Sequence, residues 1–500
     1  MPEYLSPGVY VEEIPSTIKP IAGVSTSTAA FVGIVPGPVQ IPEENPHYDP
    51  TGRSTDPGSR ERYRVWTFPF PDAELDTARK AFADLAKPDV KPAQPRDPSP
   101  EGLRRFRDAQ ETYSVALAHS AAGDLAPVGH PVLCTTFSDF TRSFGGFSTH
   151  GLLPPGAPPA AGGPAPAGPG AAPVAAAAPG AAPPPGQSQL AHGVFGFFNN
   201  GGTRCFVMRY PDLGALQDPM ALAPLEAIDE VSMVAAPGIV DPVVQTNIID
   251  HCTHMSDRFA ILDAPERPAD LTVGSIKVAH NTDYGALYFP WLKIFDAAKK
   301  LTATDPDDDG EMFVGPSGHM AGIYARVDQS RGVHKAPANE VVRGALDVGY
   351  QISKGLQDGL NPDGVNCIRF LNGNITVWGA RTIGGDRNTD LKYINVRRLL
   401  LFLRKSIDHG TQWIVFEPND RTLWAKIVRN VTAFLTTVWR DGALFGSTPA
   451  EAFYVRCDDE TNPPEQRDLG RVITEIGVAI VRPAEFVIFR IEQWAGPQAQ

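Results

Sequence analysis

Tyr393–Ile407 (YINVRRLLLFLRKSI), Arg421–Trp439 (RTLWAKIVRNVTAFLTTVW) and Glu485–Trp494 (EFVIFRIEQW) follow one another near the end of the chain, and their reading decides the fold. The first two carry apolar residues at helical spacing. In the second, Leu423, Trp424, Ile427, Val428, Val431, Phe434, Leu435, Val438 and Trp439 recur every third or fourth residue and predict a wide apolar stripe. Asn419 or Asp420, following Pro418, offers the N-cap. The other side of this helix carries Arg421, Lys426, Arg429 and Arg440, a solvated face or a basic contact surface for an acidic partner. The third segment is β-prone and has no strand after it. Such a strand must lie on a sheet edge or pair with something else, another subunit included.

With 500 residues, the chain exceeds a single core, and roughly two to four domains are expected. A 42% apolar fraction is ordinary for a soluble protein, and a net charge of −13 argues against nucleic acid as a main partner, because phosphate binding needs a basic surface. No apolar run reaches the ~18 residues of a membrane span. The opening MPEYLSPGVYVEEIP lacks a basic segment followed by an apolar one, so a chain made and kept in the cytoplasm is expected. Cys134, Cys205, Cys252, Cys367 and Cys457 are far apart and read as buried small apolar residues in a reducing compartment.

Residues 1–20 read as an extended arm, with a turn at Pro7-Gly8, a short strand over Val9–Ile14 and a stop at Pro15. Thr28–Val35 (TAAFVGIV) predicts a buried strand, with Pro131–Thr136 (PVLCTT) as its expected partner and a short helix after that over Ser138–Phe144. Between them, residues 41–130 are rich in Pro, Asp, Arg and Glu, with helices expected over Asp72–Leu85 and Pro100–Ala118: an inserted surface module or a long loop. Pro154–Gly186 is Ala, Pro and Gly except for Val174, a composition that cannot bury a core and reads as a flexible surface loop. Beyond Leu190, helices (Ala191–Phe198, Met220–Ile228, Val243–Asp257, His319–Asp328) alternate with strands (Thr203–Tyr210, Ser232–Ala236, Phe259–Leu262, Tyr284–Phe295), which predicts an α/β core.

The chemical motifs are weak. Asp305–Gly310 (DPDDDG) starts like a calcium loop, but the twelfth position, which should supply a bidentate Glu, is Pro316; an acidic hairpin loop is the better reading. Gly315–His319 (GPSGH) places His319 where a nucleophile elbow needs Gly, so Ser317 is expected to cap the following helix through its hydroxyl. His251, Cys252 and His254 put at most two ligands on one helical face and read as ordinary helix residues. Gly193, Gly196 and Asn199–Gly202 read as turn material, since no phosphate-binding glycine pattern follows a strand. No catalytic, cofactor or metal site emerges.

Tyr4–Glu13 (YLSPGVYVEE), Gly315–Glu340, Trp378–Thr382 (WGART), Tyr393–Arg398 (YINVRR), Phe416–Asp420 (FEPND) and Pro483–Phe486 (PAEF) occur in the expected order for one family. Together they resemble the contractile tail sheath family of bacteriophages, tailocins and extracellular contractile injection systems, over residues 1–40, 131–150 and 188–494. The resemblance implies a multi-domain α/β fold with a mixed-sheet core and extended terminal arms that add strands to neighbouring subunits. It divides the chain into an N-terminal linking arm (1–20), central sheath domains (21–40, 131–150 and 188–385), an outward-facing insert (41–130), a flexible loop (153–187), a C-terminal sheath domain (386–484) and a C-terminal linking arm (485–500). The linking residues would be Val9, Tyr10, Val11, Glu12 and Ile14 in one arm and Phe486, Val487, Ile488, Phe489 and Ile491 in the other. The implied protein is not an enzyme and needs no cofactor. It stacks as hexameric rings around an inner tube protein, between a baseplate and a terminal cap, and contracts. It binds neither nucleic acid nor membrane, assembles in the bacterial cytoplasm, and ends in a phage tail or a released tail-like particle. Arg421, Lys426, Arg429 and Arg440 are the first candidates for the tube-facing surface. A static polymeric coat and an α/β hydrolase are the competing classes.

Overall fold

Apolar runs bounded by glycine and proline become the strands of a buried sheet here because helices or loops cover both of its faces. The computed structural model describes residues 21–35, 39–44, 48–49, 63–68, 71–87, 94–122, 126–147, 187–277, 281–296, 299–300 and 308–486. The expected strand Val9–Ile14, the proline-rich stretch Pro154–Gly186 and the terminal strand beyond Phe486 lie outside the described residues. The chain divides into two compact units, one of residues 25–398, the other of the flanking segments up to Val24 and from Leu399 onward.

In chain order the strands are β1 (Ala29–Ile34), β2 (Val39–Glu44), β3 (Tyr63–Phe68), β4 (Val132–Cys134), β5 (Cys205–Tyr210), β6 (Met233–Ala235), β7 (Phe259–Asp263) and β8 (Gly285–Phe289). They continue with β9 (Leu292–Phe295), β10 (Glu311–Val314), β11 (Glu340–Val341), β12 (Asp347–Val348), β13 (Val365–Leu371), β14 (Asn374–Val377), β15 (Phe453–Arg456) and β16 (Glu475–Val478). The larger unit is built on a nine-stranded mixed sheet in the order β11-β14-β13-β8-β7-β6-β1-β5-β4. The strands from β13 through β5 are parallel, and antiparallel β14 and β4 flank them. All five residues of β7 and of β8 are buried, as expected for strands covered on both faces.

Three expectations fail for identifiable reasons. Strand β4 pairs with β5, not with β1, because β5 takes that edge of β1 in parallel register from Ala29↔Cys205 to Ile34↔Tyr210. Tyr284–Phe295 is two strands: Pro290 has no N–H to donate, and the chain leaves β8 of the large sheet for β9 of a separate β10-β9-β12 sheet. Met220–Ile228 forms only a 3₁₀ turn over Ala223–Leu225, since Pro224 interrupts the ladder.

The helix Gln187–Asn199 contains Gly193 and Gly196, which are therefore not turn residues. They are small because neighbours crowd them: a Cβ on Gly193 would run into Pro237, and the helix Ser317–Arg331 crosses over Gly196. A Cβ on Gly318 would run into the Gly193 backbone, and one on Gly196 into the His319 ring. In the insert, helices Asp72–Leu85 and Pro100–Ala122 form a small core of their own: Phe82 lies 5.4 Å from Phe106 and stacks on Tyr113 at 5.7 Å. Strands β2 and β3 pair as a separate antiparallel ribbon.

The smaller unit contains the helix Arg421–Arg440, whose stripe is buried at Leu423, Trp424, Ile427, Val431, Phe434, Leu435 and Val438, with Val428 and Trp439 partly covered. The two cap candidates divide the work. Asp420 accepts from the Leu423 N–H at 2.8 Å, while Asn419 accepts from Trp424 Nε1 at 2.8 Å. Phe434 packs on Phe402 of the preceding helix at 6.1 Å between ring centroids.

Candidate interaction surfaces

Strands β15 and β16 form a two-stranded antiparallel sheet from Phe453↔Val478 to Arg456↔Glu475, with no third strand on either edge among the described residues. Beyond β16 the chain stays extended: the Ala479 N–H donates to the Ala452 carbonyl and the Phe445 N–H to the Ala479 carbonyl. Tyr454 covers Gly477, where a Cβ would collide with the ring, so glycine keeps the pair closely packed. Around this small sheet Phe445, Tyr454 and Phe486 are 73%, 60% and 71% exposed. Leu444 also bridges to Ile480, so part of the chain after β16 is paired with the segment 443–445.

Of the basic residues on the helix Arg421–Arg440, Arg421 is paired with exposed Asp459 at 2.8 Å. Arg429 and Arg440 are exposed and Lys426 half-buried, and none of the three forms an ion pair among the described residues. The net positive charge on this face therefore comes from Lys426, Arg429 and Arg440. At the end of the preceding helix Phe416 is fully exposed at φ 70°, a left-handed conformation rare for an aromatic residue.

Ligands of open α/β sheets bind outside the carboxyl ends of the strands, where the strand order reverses. In this chain the reversal falls at β1, with β5 on one side and β6 on the other. Near it, at the end of β7, the protein's own groups meet. Asp263 accepts from the Ser317 N–H at 2.7 Å, the Ser317 hydroxyl at 2.8 Å and the Gly238 N–H at 2.8 Å. Ser317 is therefore not the acceptor cap expected of it. Its hydroxyl donates, and the carboxylate of Asp263 satisfies the start of the helix instead. Ser317 is wholly buried, and burial pushes the Asp263 carboxyl up to about 6. The sequence signal for this residue was a single Asp closing the apolar run FAILD.

His251 and Cys252 are buried helix residues: Arg258 Nη1 lies 3.2 Å from His251 Nε2, and burial brings the imidazole down to about 4. Among the described residues no group of His, Cys, Asp and Glu could hold a metal ion, and no helix is long and apolar enough to cross a membrane. All five cysteines are free and buried. Strands β9 and β10 pair antiparallel, and residues 301–307, with most of the acidic run between them, lie outside the described residues.

Residues 214–383 match the family model of the phage tail sheath protein central domain, and residues 386–493 match that of the phage tail sheath C-terminal domain. The chain belongs to the phage tail sheath family. Strands β6 to β8, β11, β13 and β14 of the larger sheet fall within the first match and β15–β16 within the second, while β1, β4 and β5 precede both. A tail sheath protein of Burkholderia phage BcepMu is 26% identical over 227 residues, 44% of this chain and 44% of that protein, so the chain spans less than half of this curated relative. Two solved sheath structures share the fold. One, from an extracellular contractile injection system (the PVC sheath complex, contracted), has a TM-score of 0.60 at 22% identity over 99% of both chains. The other, the contracted helical sheath of the anti-feeding prophage, has a TM-score of 0.60 at 22% identity over 97% of this chain and 99% of that one.

Proposed function

We propose that this chain is the structural subunit of a contractile sheath, which stacks as hexameric rings around an inner tube and contracts to drive that tube through a target envelope. The ordered match of both sheath domains across residues 214–493 carries this reading. The role is mechanical, with no catalytic step. Two linking arms join neighbouring copies: Val9–Ile14, with Val9, Tyr10, Val11, Glu12 and Ile14, and the strand of Phe486, Val487, Ile488, Phe489 and Ile491. That the β15–β16 sheet has no third strand among the described residues, together with the exposure of Phe486, supports a strand added to it.

Main-chain pairing of this kind keeps subunits connected while their bodies move. The extended sheath is then a trapped state, and contraction enlarges the interface between rings without nucleotide. Residues 41–130 and 153–187 decorate the outer surface. Lys426, Arg429 and Arg440, with Arg421 tied to Asp459, face the tube. Assembly takes place in the bacterial cytoplasm, with a baseplate and a cap as further partners, and the particle is a phage tail or a released tail-like machine. Electron microscopy of the native particle tests this proposal: a long narrow sheath and a short wide one are expected. A polymer of one fixed length and diameter would mean a static coat, and monomers under every condition would overturn polymerisation itself.

A further inference from the structure

The chain passes between its two units at only two places, residues 24/25 and 398/399. On the larger unit these two places are adjacent. Arg398 Nη1 and Nη2 donate to Asp328 Oδ1 and Oδ2 at 2.8 and 2.6 Å, a bidentate pair with both side chains 4% exposed. The same guanidinium donates to the Thr26 carbonyl at 2.9 Å, and the Thr26 hydroxyl donates to Asp328 Oδ2 at 2.6 Å. One carboxylate therefore binds both residue 26, just inside the first crossing, and residue 398, at the second, although 372 positions separate them in sequence.

We propose that Asp328 is a latch that joins the two crossing points of the chain and makes them move as one. Three features fit a latch better than a generic core contact. First, a buried ion pair adds little to stability compared with an apolar replacement, so its value is geometric. Second, the pair sits on a fixed support. Asp328 belongs to the helix Ser317–Arg331, whose first turn is held by Asp263, and the Arg398 guanidinium stacks 4.8 Å over Tyr324 of the same helix. Tyr324 is fixed in turn by a 2.8 Å hydrogen bond to Tyr288 of β8. Third, the bound partners lie at the margins of their elements: Thr26 precedes β1, and Arg398 is in the second turn of the helix Ile394–Thr411. Opening the latch would free those margins while the central strands keep their own ladders.

Hydrogen exchange read by mass spectrometry on the full chain tests this, with Asp328→Asn, Arg398→Lys and Thr26→Val. In Asp328→Asn, amides in peptides over 21–30 and 392–404 should exchange about tenfold faster, with β7 and β8 unchanged. Arg398→Lys keeps the charge but loses the fork, so it should move both segments by less. Thr26→Val should move only 21–30. Faster exchange throughout the chain, or no change in either segment, would overturn the latch. If Asp328→Asn does not fold, Arg398→Lys decides: faster exchange in both 21–30 and 392–404 supports the latch, and a change confined to 392–404 removes it.

Discussion

Asp263→Asn isolates two opposed effects on one buried carboxyl. Three donors, the N–H groups of Ser317 and Gly238 and the Ser317 hydroxyl, favour the charged form, while complete burial favours the neutral one. Burial wins, raising the group from 3.8 to about 6. The folded chain therefore binds more protons than the unfolded chain between pH ~4 and ~6, so the stability due to this group falls as pH rises through that window. At 1.36 kcal/mol per pH unit, the full change is roughly 3 kcal/mol. Asparagine cannot titrate, and every other group titrates alike in both proteins. The stability of wild type minus that of Asp263→Asn, measured by urea unfolding of the larger unit's transition at pH 4, 5, 6 and 7, should thus fall by roughly 2 kcal/mol from pH 4 to 7, most of that full change. The absolute level of the difference depends on how the amide fits, because its NH₂ leaves at least one of the three donors without an acceptor, at about 1–3 kcal/mol. A difference that stays constant to within about 1 kcal/mol would show that the donors, not burial, set the state of this carboxyl.

Gly318→Ala places a methyl against the Gly193 backbone, which cannot yield as a side chain could, and should cost about 1–3 kcal/mol in a thermal-shift assay. Gly355→Ala, where a Cβ meets nothing within 4 Å on an exposed helix, should be neutral or slightly stabilising. Deleting the residues after Ala484 should leave a soluble chain that no longer forms a sheath; normal polymers from the truncated protein would place that strand within its own subunit. Reversing Lys426 and Arg429 to Glu should uncouple the sheath from its tube in electron micrographs, and normal extended particles would refute the tube-facing assignment. Asp420→Ala should cost about 1 kcal/mol of stability in the smaller unit, read by chemical denaturation, through loss of the N-cap to Leu423.

Local pattern alone determined a good deal of this protein. The stripe of Arg421–Arg440, the helix Asp72–Leu85 and the buried runs of β1, β6 and β7 are legible because period and capping chemistry act over a few residues. Family membership was legible too, since short motifs such as YINVRR and FEPND occur in order along the chain. Tertiary structure decided what depends on residues distant in sequence. Pairing of β4 with β5 rather than β1 reflects competition for an edge, which no local pattern encodes. Gly193 and Gly196 read locally as turn residues, yet they lie within a helix, where Pro237 and His319, distant in sequence, leave no room for a larger side chain. Ser317 was legible as a residue at a helix start, but its role as a donor follows from Asp263, 54 positions earlier in the chain. In the same way Arg398 reads as one basic residue on an apolar helix, and only the fold brings it to Asp328 and Thr26. Hydrophobic period is a property of neighbours in sequence, whereas hydrogen-bond and ion-pair partners are chosen by the distances that folding creates.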